Sequence, residues 1–120
     1  MEKYQKPITP AMKEKANKLF FYLKDIGRYA TKEEIGEFLG IKDERVIRDI
    51  ISLLATKKPI ISHSGFRGYM LAQTEEDLEE VERTWAELSS RCESLQERMQ
   101  PLIKFRERVK YNIERGNNNE

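Results

Sequence analysis

With 120 residues the chain holds one domain and an appendage, and it is too short for two independent cores. Its 36% charged and 38% hydrophobic residues fit a soluble, helix-rich protein, and no apolar run approaches the roughly 18 residues that a membrane span needs. The N-terminus MEKYQKPITP has no signal-peptide core and Cys92 is the sole cysteine, so a disulfide framework is excluded and a reducing cytoplasm is the expected setting.

Net charge is only +1, yet it divides unevenly. Residues 1–72 hold 14 Lys and Arg against 9 Asp and Glu, a balance of +5, whereas residues 73–120 hold 8 against 12, a balance of −4. Positive charge therefore travels with the first part of the chain, as an electrostatic footprint for phosphates would. The tail divides again, with six acids in residues 75–82 and five bases against two acids in residues 104–115.

In chain order, residues 1–9 are expected to be a flexible N-terminus. Thr9 suits a helix N-cap and Pro10 the first helical position, where a missing N–H costs nothing. Met12, Ala16, Leu19, Phe20, Leu23 and Ile26 then recur at helical spacing, predicting an amphipathic helix from about residue 10 to between 24 and 27. Lys13, Lys15 and Lys18 read as its solvated face.

Residues 31–56 predict two helices joined by a tight turn. Thr31 and Glu34 form a capping-box pair. Ile35, Phe38 and Leu39 form the first inward stripe, Gly36 admits a neighbouring helix, and Gly40 supplies the left-handed conformation that ends a helix. Ile41 plugs the turn. Asp43, Glu44 and Arg45 open the second helix, whose inward positions are predicted to be Val46, Ile47, Ile50, Leu53 and Leu54. This stretch resembles the helix-turn-helix, whose second helix lies in the DNA major groove. A plain three-helix core would need similar residues.

After Lys57, Lys58 and Pro59 the period changes. Residues 60–64, 65–68 and 69–72 read as strand, glycine-flanked turn and strand. A two-stranded hairpin directly after a recognition helix resembles a wing. The segment Gly68, Tyr69, Met70, Leu71 is similar to the wing of biotin-repressor-type winged helices and of small phage or prophage winged-helix proteins. The resemblance covers residues 10–72. It implies that the glycine permits the turn back, while the aromatic residue and leucine anchor the returning strand.

The resemblance also implies roles. Arg45 and Arg48, near the start and on the outward face of the second motif helix, would meet base edges or phosphates, with Glu44 and Ser52 adding polar contacts. Lys42 at the helix entrance and Lys57 and Lys58 at its exit would hold phosphates and set orientation. Arg67 would reach an adjacent minor groove from the wing tip, and Phe66 would either pack on the wing base or touch sugar. Against these bases stand Asp43, Glu44 and Asp49, so the face is not strongly positive. A winged helix that binds protein in place of DNA, as scaffold or adaptor, would carry the same pattern.

The tail opens with a second capping-box pair, Thr74 and Asp77. Leu78, Val81, Trp85, Leu88, Cys92, Leu95, Met99 and Leu102 then alternate separations of three and four, the seam of a coiled coil. Pro101 is expected to kink or break the helix near Gln100, and Phe105, Val109 and Ile113 drift to another spacing, as in a second helix that turns away or folds back. The seam either packs along its own domain or pairs with a second chain, and its length favours a homodimer. The basic residues 104–115 could then meet the acidic residues 75–82 of an antiparallel partner, or both could be solvated faces.

Catalytic chemistry is hard to find. His63, the only histidine, falls on a predicted wing strand, and Cys92 falls in the seam, where a thiol behaves as a small apolar group. There is no second thiol or histidine for a zinc site and no glycine-rich phosphate loop, so neither catalytic residues, a metal nor a cofactor is expected.

The expected fold is mainly α with a small β part (α+β): a winged helix of three helices and a two-stranded hairpin at residues 10–73. A long C-terminal helix or kinked helix pair follows as a dimerisation segment at 74–115, with a disordered tail at 116–120. The expected function is sequence-specific binding of double-stranded DNA by a homodimer, as a transcriptional regulator or a replication or packaging accessory of a phage or bacterium. A non-DNA-binding interaction module is the alternative.

Overall fold

The structure, a computed structural model, describes residues 7–63 and 68–118. Four helices and a small two-stranded antiparallel sheet follow in the order α1 (Pro10–Ile26), α2 (Lys32–Leu39), α3 (Glu44–Ala55), β1 (Ile60–Ile61), β2 (Met70–Leu71) and α4 (Leu78–Asn118), with a 3₁₀ turn at Glu75–Asp77 leading into α4. The chain divides into two compact units between Thr84 and Trp85, within α4.

In the first unit the helix ends follow from local chemistry. The Thr9 hydroxyl accepts the Met12 N–H at 3.2 Å, which satisfies one orphan donor of α1. Thr31 does the same for Glu34 at 3.1 Å at the start of α2. Glu34 does not reach back to complete a capping box; its carboxylate meets Arg28 at 3.1 Å. Gly40 closes α2 with φ of 70°, a left-handed conformation that a side chain would disfavour.

The core forms where α1, α2, α3 and β2 meet, with Leu19, Leu23, Ile35 and Ile50 fully enclosed, and Ile61 of β1 is fully buried outside that cluster. Burying such side chains stabilises the domain by about 1.5–3 kcal/mol each, before the entropy of ordering them is counted. On α3 the buried stripe is Ile47, Ile50, Ile51 and Leu54, at separations of three, one and three. Val46 therefore departs from the expected inward set and is 37% exposed, while Ile51 joins it. Ile47, Ile50 and Leu54 are common to the expected and the observed sets, and Leu53 is half-buried against the core. Phe38 likewise departs from the expected inward stripe. It is 46% exposed and stacks at the core margin on Tyr22, with ring centroids 4.2 Å apart.

The strands are shorter than the sequence suggests, with Ile60 opposite Leu71 and Ile61 opposite Met70. Among the described residues a single bridge extends the sheet: Ala30, between α1 and α2, exchanges both backbone hydrogen bonds with Tyr69 at 2.9 Å.

α4 is one helix from Leu78 to Asn118, with Pro101 inside it. The expected break near Gln100 does not occur, and Phe105, Val109 and Ile113 belong to the same helix and not to a second one that folds back. Proline deletes one donor and crowds the carbonyl one turn back, but Glu, Arg and Leu before it and Lys, Arg and Glu after it hold helix well. The helix also runs past Arg115 into the segment expected to be frayed.

Candidate functional site

The connection between α2 and α3 is built by packing. The Ile41 N–H donates to the Gly36 carbonyl at 2.9 Å, and Asp43 caps α3 by accepting the Arg45 N–H at 2.9 Å. With Ile47, Ile50, Ile51 and Leu54 turned inward, the 3.6-residue period puts Arg45, Arg48, Asp49 and Ser52 on the opposite face. Arg45, Arg48 and Ser52 are exposed and Asp49 is half-buried.

Electrostatics on this face depend on a residue that sequence spacing did not single out. Lys32, in the first turn of α2, brings its ammonium to 3.3 Å from the Glu44 carboxylate, and Arg48 approaches the same carboxylate at 3.9 Å. Exposed pairs of this kind add at most about 1 kcal/mol of stability. Their consequence is local charge: Glu44 is compensated from two sides. Among the described residues no carboxylate stands within ion-pair distance of Arg45 or Lys42. The face is therefore less acidic than Asp43, Glu44 and Asp49 alone would make it.

A cleft of about 460 Å³ lies beside the face, with Gly36, Ile41 and Ile47 among its walls and Lys32, Lys42 and Glu44 at its charged edge. The structure thus brings Lys42, Glu44, Arg45, Arg48 and Ser52 to one end and one side of α3.

It does not bring Lys57 and Lys58 to the same place. Arg45 and Ala55 are separated by about 15 Å of helix at 1.5 Å per residue. Past that end Lys58 turns its ammonium over the Phe20 ring of α1, 4.6 Å from the centroid. Both lysines border a second cleft of about 370 Å³ with Lys13, Asn17, Phe20 and Leu53. Phe66 and Arg67, expected at the turn between the strands, lie outside the described residues.

Directly after β1 a buried polar cluster ties the strand to the first turns of α4. His63 is buried, and its Nε2 contacts the Glu80 carboxylate. The Ser62 N–H donates to the Thr84 hydroxyl at 3.2 Å, and that hydroxyl donates to the Glu80 carbonyl at 3.0 Å. Nearby, Tyr29 has its phenol pushed above the ordinary value of 10.0, first by burial and then by the Glu80 and Asp77 carboxylates. The contact between His63 and Glu80 spans 17 residues of chain, and no spacing rule announces it.

Of the expected dimerisation residues, Val81 is half-buried and Leu78 exposed, both within the first unit. In the second unit Trp85, Leu88, Leu95, Met99 and Leu102 are 52–70% exposed, and Cys92 is a free, exposed thiol. Among the described residues, no group of three or more His, Cys, Asp or Glu side chains is arranged to hold a metal ion, and no helix is long and apolar enough to cross a membrane. Comparison with protein-family models, with curated proteins and with solved structures finds no match to this chain.

Proposed function

We propose that residues 10–72 act as a winged helix that binds double-stranded DNA sequence-selectively, and that the chain works as a homodimer joined through α4. The observation that carries this is the outward stripe of α3, where Arg45, Arg48 and Ser52 stand exposed on a helix braced from behind by α1. A guanidinium aimed at a guanine edge donates two bonds, the commonest specific contact in the major groove. Pairing of Lys32 and Arg48 with Glu44 supports the assignment, because it offsets the acid that most directly opposes phosphate approach. Lys42 at the helix entrance sits where a phosphate contact would set orientation. A regulator, or an accessory to replication or packaging in a phage or bacterium, is the role such a protein would serve.

A homodimer fits the modest charge of this face. Two such helices on one palindromic site multiply a weak single-domain affinity. The test is a selection from random double-stranded oligonucleotides with the full chain at low salt. The proposal expects an enriched, inverted-repeat motif whose affinity falls steeply as salt rises, since each phosphate contact releases counterions. A selection that enriches nothing overturns it.

Asp43, Glu44 and Asp49 clustered about the start of α3 favour a second assignment, in which the same face docks a protein with basic side chains. That assignment gains if selection returns no motif while charge reversal of these acids abolishes binding to a protein partner.

A further inference from the structure

α4 carries an uncovered apolar seam on one continuous helix. Val81 and Thr84 belong to the first unit, where the end of β1 is fastened to Thr84, so the free seam begins at Trp85. From there Trp85, Leu88, Cys92, Leu95, Met99 and Leu102 repeat every three and four residues, and all are exposed. Helices of this kind gain most of their stability by packing such a stripe against something. A second helix folding back from Pro101 is not available to cover it, because α4 runs through Pro101 as one helix. A second copy of the same helix offers an identical heptad repeat, which is what a coiled-coil seam requires of its partner.

Charge selects the direction of pairing. Residues 78–97 carry six acids and two bases, whereas residues 98–118 carry six bases and two acids. A parallel pair would set −4 against −4 and +4 against +4; an antiparallel pair with Trp85 opposite Leu102 sets residues 78–89, four acids and one base, against residues 98–109, four bases and one acid. With a positions at Trp85, Cys92 and Met99, a parallel pair also has no flanking contact of opposite charge.

We infer that α4 pairs antiparallel with α4 of a second copy, in the register that sets Trp85 against the partner's Leu102, Leu88 against the partner's Met99 and Cys92 against the partner's Leu95. This rests on the homodimer proposed above and specifies its geometry. Each of the six free seam residues then has an apolar opposite. Side chains lean toward the N-terminus of their own helix, so Glu82 and the partner's Lys110 reach toward each other along the flank. Arg91 and the partner's Arg98 meet as like charges in this register, and Glu87, 3.9 Å from Arg91 in its own helix, offsets that contact.

Cross-linking of the full chain tests the direction. Glu82→Cys and Lys110→Cys are combined with Cys92→Ala, treated with a short bismaleimide and mapped by peptide mass spectrometry, with sedimentation in parallel. Within one helix the two positions lie about 42 Å apart, so a bridge between them must join two chains. The expected result is a dimer bridged from position 82 to position 110. Bridges joining 82 to 82 and 110 to 110, or a dimer with no bridge, overturn the antiparallel register and leave the dimer standing. A monomer at tens of micromolar overturns the dimer itself. Salt gives a second readout, because screening shortens from about 10 Å at 0.1 M to 3 Å at 1 M. Dimerisation of the unmodified chain weakens several-fold over that range if the pair is antiparallel and strengthens if it is parallel.

Discussion

A Cβ placed on Gly36 would stand 2.7 Å from the Ile47 Cδ1 and 2.9 Å from the Ile41 carbonyl oxygen, so α2 and α3 approach as closely as they do because position 36 has no side chain. Ile47 can rotate its terminal methyl away; the backbone oxygen cannot move without shifting the turn. Gly36→Ala is therefore expected to destabilise the domain by about 1–2 kcal/mol, the overpacking cost less what alanine returns in helix propensity. Thermal unfolding should fall by several degrees. An unchanged midpoint would mean that the two helices are held less tightly.

The buried stripe on α3 gives a paired test. Ile51 is 6% exposed and Val46 is 37% exposed. Ile51→Ala should cost about 2–5 kcal/mol, whereas Val46→Ala should stay near 0.5 kcal/mol or below. Denaturant midpoints that ranked the two in the opposite order would contradict the burial of Ile51 over Val46, and with it the outward placement of Arg45 and Arg48.

The bond from Ser62 to the Thr84 hydroxyl fastens the strand end to the first turns of α4. Thr84→Val keeps the shape and removes the acceptor, at an expected cost of about 1 kcal/mol, while Thr84→Ser keeps the bond and costs less. Hydrogen exchange reads the same contact locally: the Ser62 amide should lose protection in the valine variant and retain it in the serine variant. Equal exchange in both would remove the hydroxyl from this role.

Tyr29 carries the pH dependence. Its phenol is held above the ordinary 10.0 by burial, with Glu80 and Asp77 adding to the rise. The folded state therefore keeps this proton more tightly than the unfolded chain does. The stabilisation is complete below pH 10 and is lost as pH climbs through the higher folded value. An ultraviolet titration should show a late-ionising phase that is lost in Tyr29→Phe, and the variant should lose less stability than the parent above pH 10.

Much of the helical framework was legible because helix ends are local. Thr9, Thr31 and Gly40 announce their caps within three or four residues. Gly36 was also readable, as a small residue beside an apolar stripe. On α3 Ile47, Ile50 and Leu54 were legible from the helical period, but the edge of the stripe was not: Val46 and Ile51 are both apolar and flank it on opposite sides, and only packing shows that Ile51 is the buried one. The Ala30 to Tyr69 bridge is one residue long and leaves no period. Contacts across elements, such as Lys32 with Glu44 and His63 with Glu80, join residues that no local rule relates. At Pro101 the helix is not broken, so of the two expected outcomes, a kink or a break, the break is the one that does not occur.

The central claim is that the outward face of α3 reads DNA. It is tested most directly by titrating a fluorescent duplex carrying the selected motif with the parent chain and with the Arg45→Ala/Arg48→Ala variant. At about 1–3 kcal/mol per guanine contact, the double variant should bind the motif at least about tenfold more weakly and lose its preference over a scrambled duplex, with its fold intact by circular dichroism. Equal affinity of parent and variant for the motif would contradict the account.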